Sequence, residues 1–146
     1  MSTEENKAVI RRWMDVWNTG ELGALEEIIA PNYVRHHWGG TMVSESDPVW
    51  YAQWVAEVRT KFSDLFLSIE ALIAEGDTVI TRWTTTGTHR GQWTAPTGTV
   101  VPPTGKTITW TGITIARLSG GKIAEEWWEW DRLGIAQQLG AVPTPG

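Results

Sequence analysis

The sequence contains no cysteine. That excludes a disulfide scaffold, thiolate-bound zinc and a cysteine nucleophile, and it fits a reducing compartment. Basic residues are few, 12 against 17 acidic, for a net charge of -5, and they form no cluster. Nucleic-acid binding needs clustered Lys and Arg to neutralise phosphates, so no nucleic-acid partner is expected. No apolar run approaches a membrane span, so no membrane partner is expected either. The opening residues MSTEENK are polar and acidic, unlike the basic-then-apolar start of a signal peptide, and the expected location is cytoplasmic. A phosphate-cradling glycine loop before a helix is missing, as is a serine nucleophile elbow. Tyrosine and phenylalanine number only two each, yet there are 11 tryptophans. Indole is bulky and amphipathic, so such a set can fill a core or line a pocket for a flat ligand.

A chain of 146 residues is the size of one domain, expected to span 1–146, and can bury a core without a staple. Ser2 and Thr3 before Glu4 and Glu5 open a helix. Val9, Ile10, Trp13, Val16 and Trp17 then recur at helical spacing, with Trp13 by default core filler and also a candidate substrate-binding residue. A short second helix carries Leu22, Leu25, Ile28 and Ile29 and is expected to end at Pro31. Residues 32–38 read as extended, and Gly39-Gly40 as the opening of a loop. Asp47-Pro48 is an N-cap followed by proline at the first helical position, with Val49, Trp50, Trp54, Val58 and Phe62 facing inward.

After Asp64 the period changes to two. Strands are expected over about 65–74, 78–88, 107–118 and 123–131, with turns at Glu75-Gly76-Asp77 and Ser119-Gly120-Gly121-Lys122. A Pro, Thr and Gly-rich loop covers roughly 90–106, and a short helix covers 133–139. Helices followed by a meander argue for an α+β fold with an antiparallel sheet. Gly87 and Gly112, inside strand patterns, would permit bends or bulges. A bent sheet with helices across its open side leaves a conical cavity.

The runs Thr81 to Gly91, Pro102 to Gly112 and Gly120 to Asp131 resemble the SnoaL-like polyketide cyclase family. So do Trp17-Asn18, the stretch Pro31 to His36, and Leu133-Gly134 with Gln137 to Gly140. The resemblance covers nearly the whole chain. It implies the cone-shaped α+β barrel of the nuclear transport factor 2-like superfamily and a homodimer or homotetramer packed through the uncovered sheet face. It further implies an intramolecular aldol condensation of a polyketide-like, hydrophobic molecule without a cofactor. The same fold hosts isomerases, dehydratases, epoxide hydrolases and pure binders, and these stay open.

Asp131 is the leading catalytic candidate, because the resemblance gives the matching aspartate the general acid/base role. A carboxyl group among Trp127, Trp128 and Trp130 would also be poorly solvated, which makes a stronger base near neutral pH. Its rival role is as N-cap of the last helix. His89 shares strand parity with Trp83 and is the second catalytic candidate, to steady an enolate oxygen; the alternative is a histidine bonded to a loop. Of His36 and His37 only one can face the cavity, and the resemblance favours His36. If Asp131 faces inward, ideal alternation brings Glu129 and Trp127 with it. Glu125 and Glu126 then read as a solvated pair. Arg82 pairs across the sheet or holds a substrate carboxylate. No metal site is expected, since two adjacent histidines are poorly placed for one and no motif supplies a third ligand.

Overall fold

Helix α1 (Thr3–Thr19) begins as the sequence predicts, in a computed structural model that describes residues 1–37 and 42–144. Ser2 accepts from the Glu5 amide while the Glu5 side chain accepts from the Ser2 amide, a reciprocal capping box. Gly20 ends the helix at φ 76°, the left-handed region that a side chain resists. Asn18 pins that end to the sheet: its amide donates to the Leu67 carbonyl at 3.0 Å and its oxygen accepts from the Leu67 N–H at 2.7 Å. A 3-10 turn (Leu22–Ala24) leads into α2 (Leu25–Ile28). The expected stop at Pro31 comes earlier, because Ile29 already starts β1 (Ile29–His37) and Pro31 lies within that strand.

A strand unforeseen in the sequence, β2 (Met42–Ser46), pairs with β1, while the loop expected at Gly39-Gly40 lies outside the described residues. Helix α3 (Pro48–Lys61) has the predicted Asp47 cap, accepting from the Trp50 amide at 2.9 Å. Its buried residues are Tyr51 and Val55, and Val49 is turned to solvent. Then come β3 (Phe62–Glu75), β4 (Thr78–His89), the two-residue strands β5 (Trp93–Thr94) and β6 (Val100–Val101), β7 (Thr107–Ser119), β8 (Lys122–Trp130) and α4 (Arg132–Gln138).

The main sheet has the order β2-β1-β8-β7-β4-β3. Neighbours are antiparallel except β1 and β8, which run parallel, so the sheet is mixed and not the all-antiparallel one expected. It curves without closing, with β2 and β3 as its edges. Bulges in β3, between Ser63 and Phe66 and between Ile69 and Ala71, help it bend. Gly87 and Gly112 sit in regular pairings and serve close packing instead. A Cβ on Gly112 would stand 2.3 Å from the Trp83 ring, and one on Gly87 would stand 2.9 Å from Phe62. Helix α1 lies on β3, and α3 lies on β3 and β1. The core fills the space between these helices and the concave face.

Candidate functional site

The concave face is set by alternation. On β4 alternation buries Val79, Thr81, Trp83, Thr85, Gly87 and His89, with Thr88 buried as well at the end of the strand. On β8 a bulge opposite Arg117 and Leu118 skips Ala124, after which Glu126 and Trp128 point inward. Between this face and the helices lies a cavity of about 200 Å³. Seven tryptophans line it: Trp17, Trp54, Trp83, Trp93, Trp110, Trp128 and Trp130. Trp128 is the hub, with ring centroids of Trp54, Trp13, Trp83, Trp17 and Trp130 at 5.0, 5.7, 5.9, 6.1 and 6.3 Å. Most of these pairs are tilted or edge-on, as the aromatic quadrupole favours.

Two polar atoms of the cavity wall have no hydrogen-bond partner among the described residues. They are the Trp17 indole Nε1 and the Thr85 Oγ1, both buried. Among the described residues Lys61 is the sole titratable one in the lining, and its ammonium pairs with Glu57 at 2.9 Å. By contrast, the Trp83 N–H is satisfied by Thr114 at 3.0 Å.

Behind Trp128 stands a fully buried carboxyl group. Glu126 Oε1 accepts from Tyr33 Oη at 2.6 Å, Tyr51 Oη at 2.9 Å and Trp128 Nε1 at 3.2 Å. Tyr51 in turn accepts from Trp13 Nε1 at 2.7 Å. Glu126 Oε2 has no partner among the described residues. Burial pushes the Glu126 pKa up; the three hydrogen bonds and the Arg35 charge oppose that without cancelling it. The solvated pair expected of Glu125 and Glu126 is therefore corrected: one residue faces in and the other out. Glu125 bonds His36 at 2.6 Å and Arg117 at 2.9 Å. Burial works against its charge, but these two partners outweigh it and hold its pKa below the usual value.

The remaining candidates divide by face. Trp83 lines the cavity, and Trp13 is a core residue bonded to Tyr51. Asp131 lies between two lining residues in sequence, Trp130 and Ile135, yet is exposed; its Oδ1 caps α4 by accepting from Gly134 N at 2.8 Å. Since β8 ends at Trp130, the alternation that would carry Glu129 and Trp127 inward does not apply. Glu129 is exposed, and Trp127 lies on the outer face, stacked on His36 at 4.8 Å and 4°. The inward histidine of the pair is thus His37, not His36, because from Tyr33 onward burial on β1 alternates through Tyr33, Arg35 and His37. Arg82 is exposed on the convex face.

His89 is fully buried and packs on Phe62, a cavity residue, at 5.6 Å. Its Nδ1 accepts from the Thr104 amide at 3.1 Å and meets Thr104 Oγ1 at 3.0 Å. An amide can only donate, so the neutral ring carries its proton on Nε2. Burial lowers the His89 pKa, with the Gly91 backbone opposing. The backbone completes the clasp: His89 N donates to the Lys106 carbonyl at 2.8 Å, and Gly105 N donates to the His89 carbonyl at 2.9 Å.

Sequence reasoning missed Glu126, Tyr33, Tyr51 and Arg35. The available signal was the shared parity of Glu126 with Trp128 and Trp130. No group of three or more His, Cys, Asp or Glu placed to hold a metal occurs among the described residues. Nor is any described helix long and apolar enough to cross a membrane.

An open curved sheet wrapped on a tryptophan cavity is the architecture of the cone-shaped α+β proteins. Residues 7–139 match the family described as SnoaL-like polyketide cyclase, and the chain belongs to that family. No curated protein gives a significant match. Among solved structures, a candidate polyketide cyclase from Acidithiobacillus ferrooxidans shares 32% identity, with 97% of this chain and 99% of that one covered and a TM-score of 0.80. AclR, a candidate hydroxylase from Streptomyces galilaeus, shares 26% over 99% and 87%, with a TM-score of 0.82. IdmH, a candidate polyketide cyclase from Streptomyces antibioticus, shares 26% over 92% and 98%, with a TM-score of 0.76.

Proposed function

We propose that this chain binds a flat, largely apolar, polyketide-like carbonyl compound in the tryptophan cavity. There it would promote a cofactor-independent, intramolecular aldol condensation. One observation carries the reading: seven indole walls combined with two buried, unpartnered polar atoms, Trp17 Nε1 and Thr85 Oγ1. Indole faces suit a planar ligand and exclude water. An unspent N–H and O–H suit a carbonyl oxygen, and suit it better once that oxygen carries charge.

In this reading the reacting carbon lies at the cavity rim, where Asp131, outside the lining but next in sequence to the lining residue Trp130, removes a proton from the carbon between two carbonyl groups. Trp17 N–H and Thr85 O–H donate to the enolate oxygen that forms. The enolate carbon then attacks a second carbonyl of the same molecule, making one C–C bond. The proton returns to the new alkoxide, so nothing is gained or lost. His89 is a positioning residue that holds the Thr104–Lys106 loop and backs Phe62.

The test is turnover of cyclisable polyketide esters by wild type beside Asp131→Asn, with binding followed by tryptophan quenching. Loss of turnover with binding kept supports the mechanism; full turnover in the variant overturns Asp131 as the base. A second reading, a binder without chemistry, is favoured by the lack of any carboxylate among the described lining residues. It predicts quenching with the ligand recovered unchanged from both proteins. We also infer assembly into a homodimer or homotetramer through the convex sheet face, where Ile80 and Ile113 are 36% and 44% exposed. A monomer mass by light scattering at micromolar concentration would refute it.

A further inference from the structure

A second recess, of about 540 Å³, shares two walls, Trp93 and Trp130, with the tryptophan cavity. Its other walls include Arg35, His37 and Arg132, and no acidic residue lines it among the described residues. In a chain of net charge -5, that is a local reversal of sign. Arg35 is only 8% exposed. Its guanidinium lies over the rings of Trp54 at 4.1 Å and Trp50 at 5.6 Å. Its Nε is buried with no partner, and Arg35 forms no ion pair among the described residues. Glu126 lies close enough for its charge to be felt, but neither of its oxygens bonds Arg35: Oε1 accepts from Tyr33, Tyr51 and Trp128, and Oε2 has no partner among the described residues. Arg132 stands over Trp130 at 5.3 Å, so the shared indole wall carries a cation on the recess side. The charges of Arg35 and Arg132 both act on His37, which places the three groups around one space.

A buried guanidinium with unspent donors is costly unless an anion completes it. The planar fork of Arg matches two oxygens of one acidic group. We propose that this recess is an oxyanion subsite that receives a carboxylate or phosphate carried by the ligand of the tryptophan cavity. Arg35 is its main contact and Arg132 its second. The shared walls make one ligand able to span both spaces, its flat body among the indoles and its acidic group beside Arg35. This rests on the cavity reading above and narrows it to acidic, planar compounds.

Three probes test it by tryptophan quenching at fixed ionic strength: methyl 2-naphthoate, 2-naphthoate and 2-naphthyl phosphate. Wild type should bind at least one anion about tenfold or more tighter than the neutral ester, the size of one charge-assisted contact. Whether the naphthoate or the phosphate gains more tells which acid the subsite takes. Arg35→Gln should erase that preference, read as the ratio of anion to ester affinity within each protein, and Arg35→Lys should keep part of it. Should Arg35→Gln fail to fold, Arg132→Gln carries the test and should cut the preference severalfold. Equal binding of ester and anions by wild type, or a preference unchanged in the folded variants, overturns the subsite. If the ester binds and only the anion preference is missing, the cavity reading stands alone. If none of the three probes quenches, both fall.

Discussion

Replacing Glu126 with alanine strips the acceptor from three buried donors at once. Tyr33 Oη, Tyr51 Oη and Trp128 Nε1 all converge on Oε1, at 2.6, 2.9 and 3.2 Å. All three residues are at most 5% exposed, so bulk water does not reach them in the native fold. A buried donor left unmade costs about 1–3 kcal/mol. Three of them, sharing one network and therefore not additive, give an expected loss of about 4 kcal/mol, a large part of the roughly 5–15 kcal/mol of a typical domain. Glu126→Gln keeps one oxygen for the same donors and places its NH2 where Oε2 has no partner, so about 1–2 kcal/mol is expected.

The two variants also separate in pH. Burial raises the folded-state pKa of Glu126 above its usual 4.5. The folded chain therefore holds that proton to higher pH than the unfolded chain does. Its stabilising share is fully present below 4.5 and is lost as pH climbs through the folded value. Gln cannot titrate, so this decline should vanish from Glu126→Gln. Urea denaturation of the three proteins between about pH 4.5 and 8, read by tryptophan emission, gives both quantities. An alanine variant within about 1 kcal/mol of wild type would refute the count of orphaned donors. Parallel pH curves for wild type and the Gln variant would refute the buried-proton argument.

Other consequences follow from the same geometry. Gly112→Ala would put a Cβ 2.3 Å from the Trp83 ring and 2.7 Å from the Glu129 carbonyl. It should therefore cost about 2 kcal/mol or more in urea unfolding, as overpacking does, and a loss under half of that would mean the sheet yields there. At the α4 cap, Asp131→Ala should lose about 1 kcal/mol while Asp131→Asn stays near wild type, which lets the Asn variant report on turnover alone; equal thermal stabilities for both variants would count against the cap. His89 has a pKa lowered by burial, so the unfolded chain takes up its proton first as pH drops through the usual 6.5, and stability falls on the acid side. His89→Asn, which still offers an acceptor to the Thr104 amide, should flatten that part of the acid limb, and an unchanged slope would exclude His89 as its source. Thr85→Val should weaken a naphthyl ketone severalfold without changing affinity for naphthalene, and equal losses for both would show that the hydroxyl makes no ligand contact.

The two long helices, the Ser2 and Asp47 caps and the long β segments were legible, because caps and periodicity are local signals, whereas the short strands β2, β5 and β6 were not. The parallel pairing of β1 with β8 was not: those strands are joined through contacts far apart in sequence, and nothing in either strand marks its partner's direction. The site shows the same division more sharply. Reading Asp131 as an inward strand residue assigned β8 the wrong phase, and with it Trp127 and Glu129 the wrong face; the resemblance favoured His36, whereas β1 turns His37 inward. The cap position itself held the correction. A residue whose carboxyl bonds the third amide of the following helix has left the strand, so phase must be counted from Trp130. Counted that way, Glu126, Trp128 and Trp130 share the concave side, and a carboxyl group stands among the indoles five positions earlier than expected. Composition pointed away from it, since Glu125-Glu126 looks like a solvated pair. A buried Glu is tolerated only where donors meet it, and those donors, Tyr33 from β1 and Tyr51 from α3, lie 93 and 75 residues away in the chain. The two tyrosines of this tryptophan-rich sequence both serve that one oxygen, and the one local pointer to it was the parity that Glu126 shares with Trp128 and Trp130.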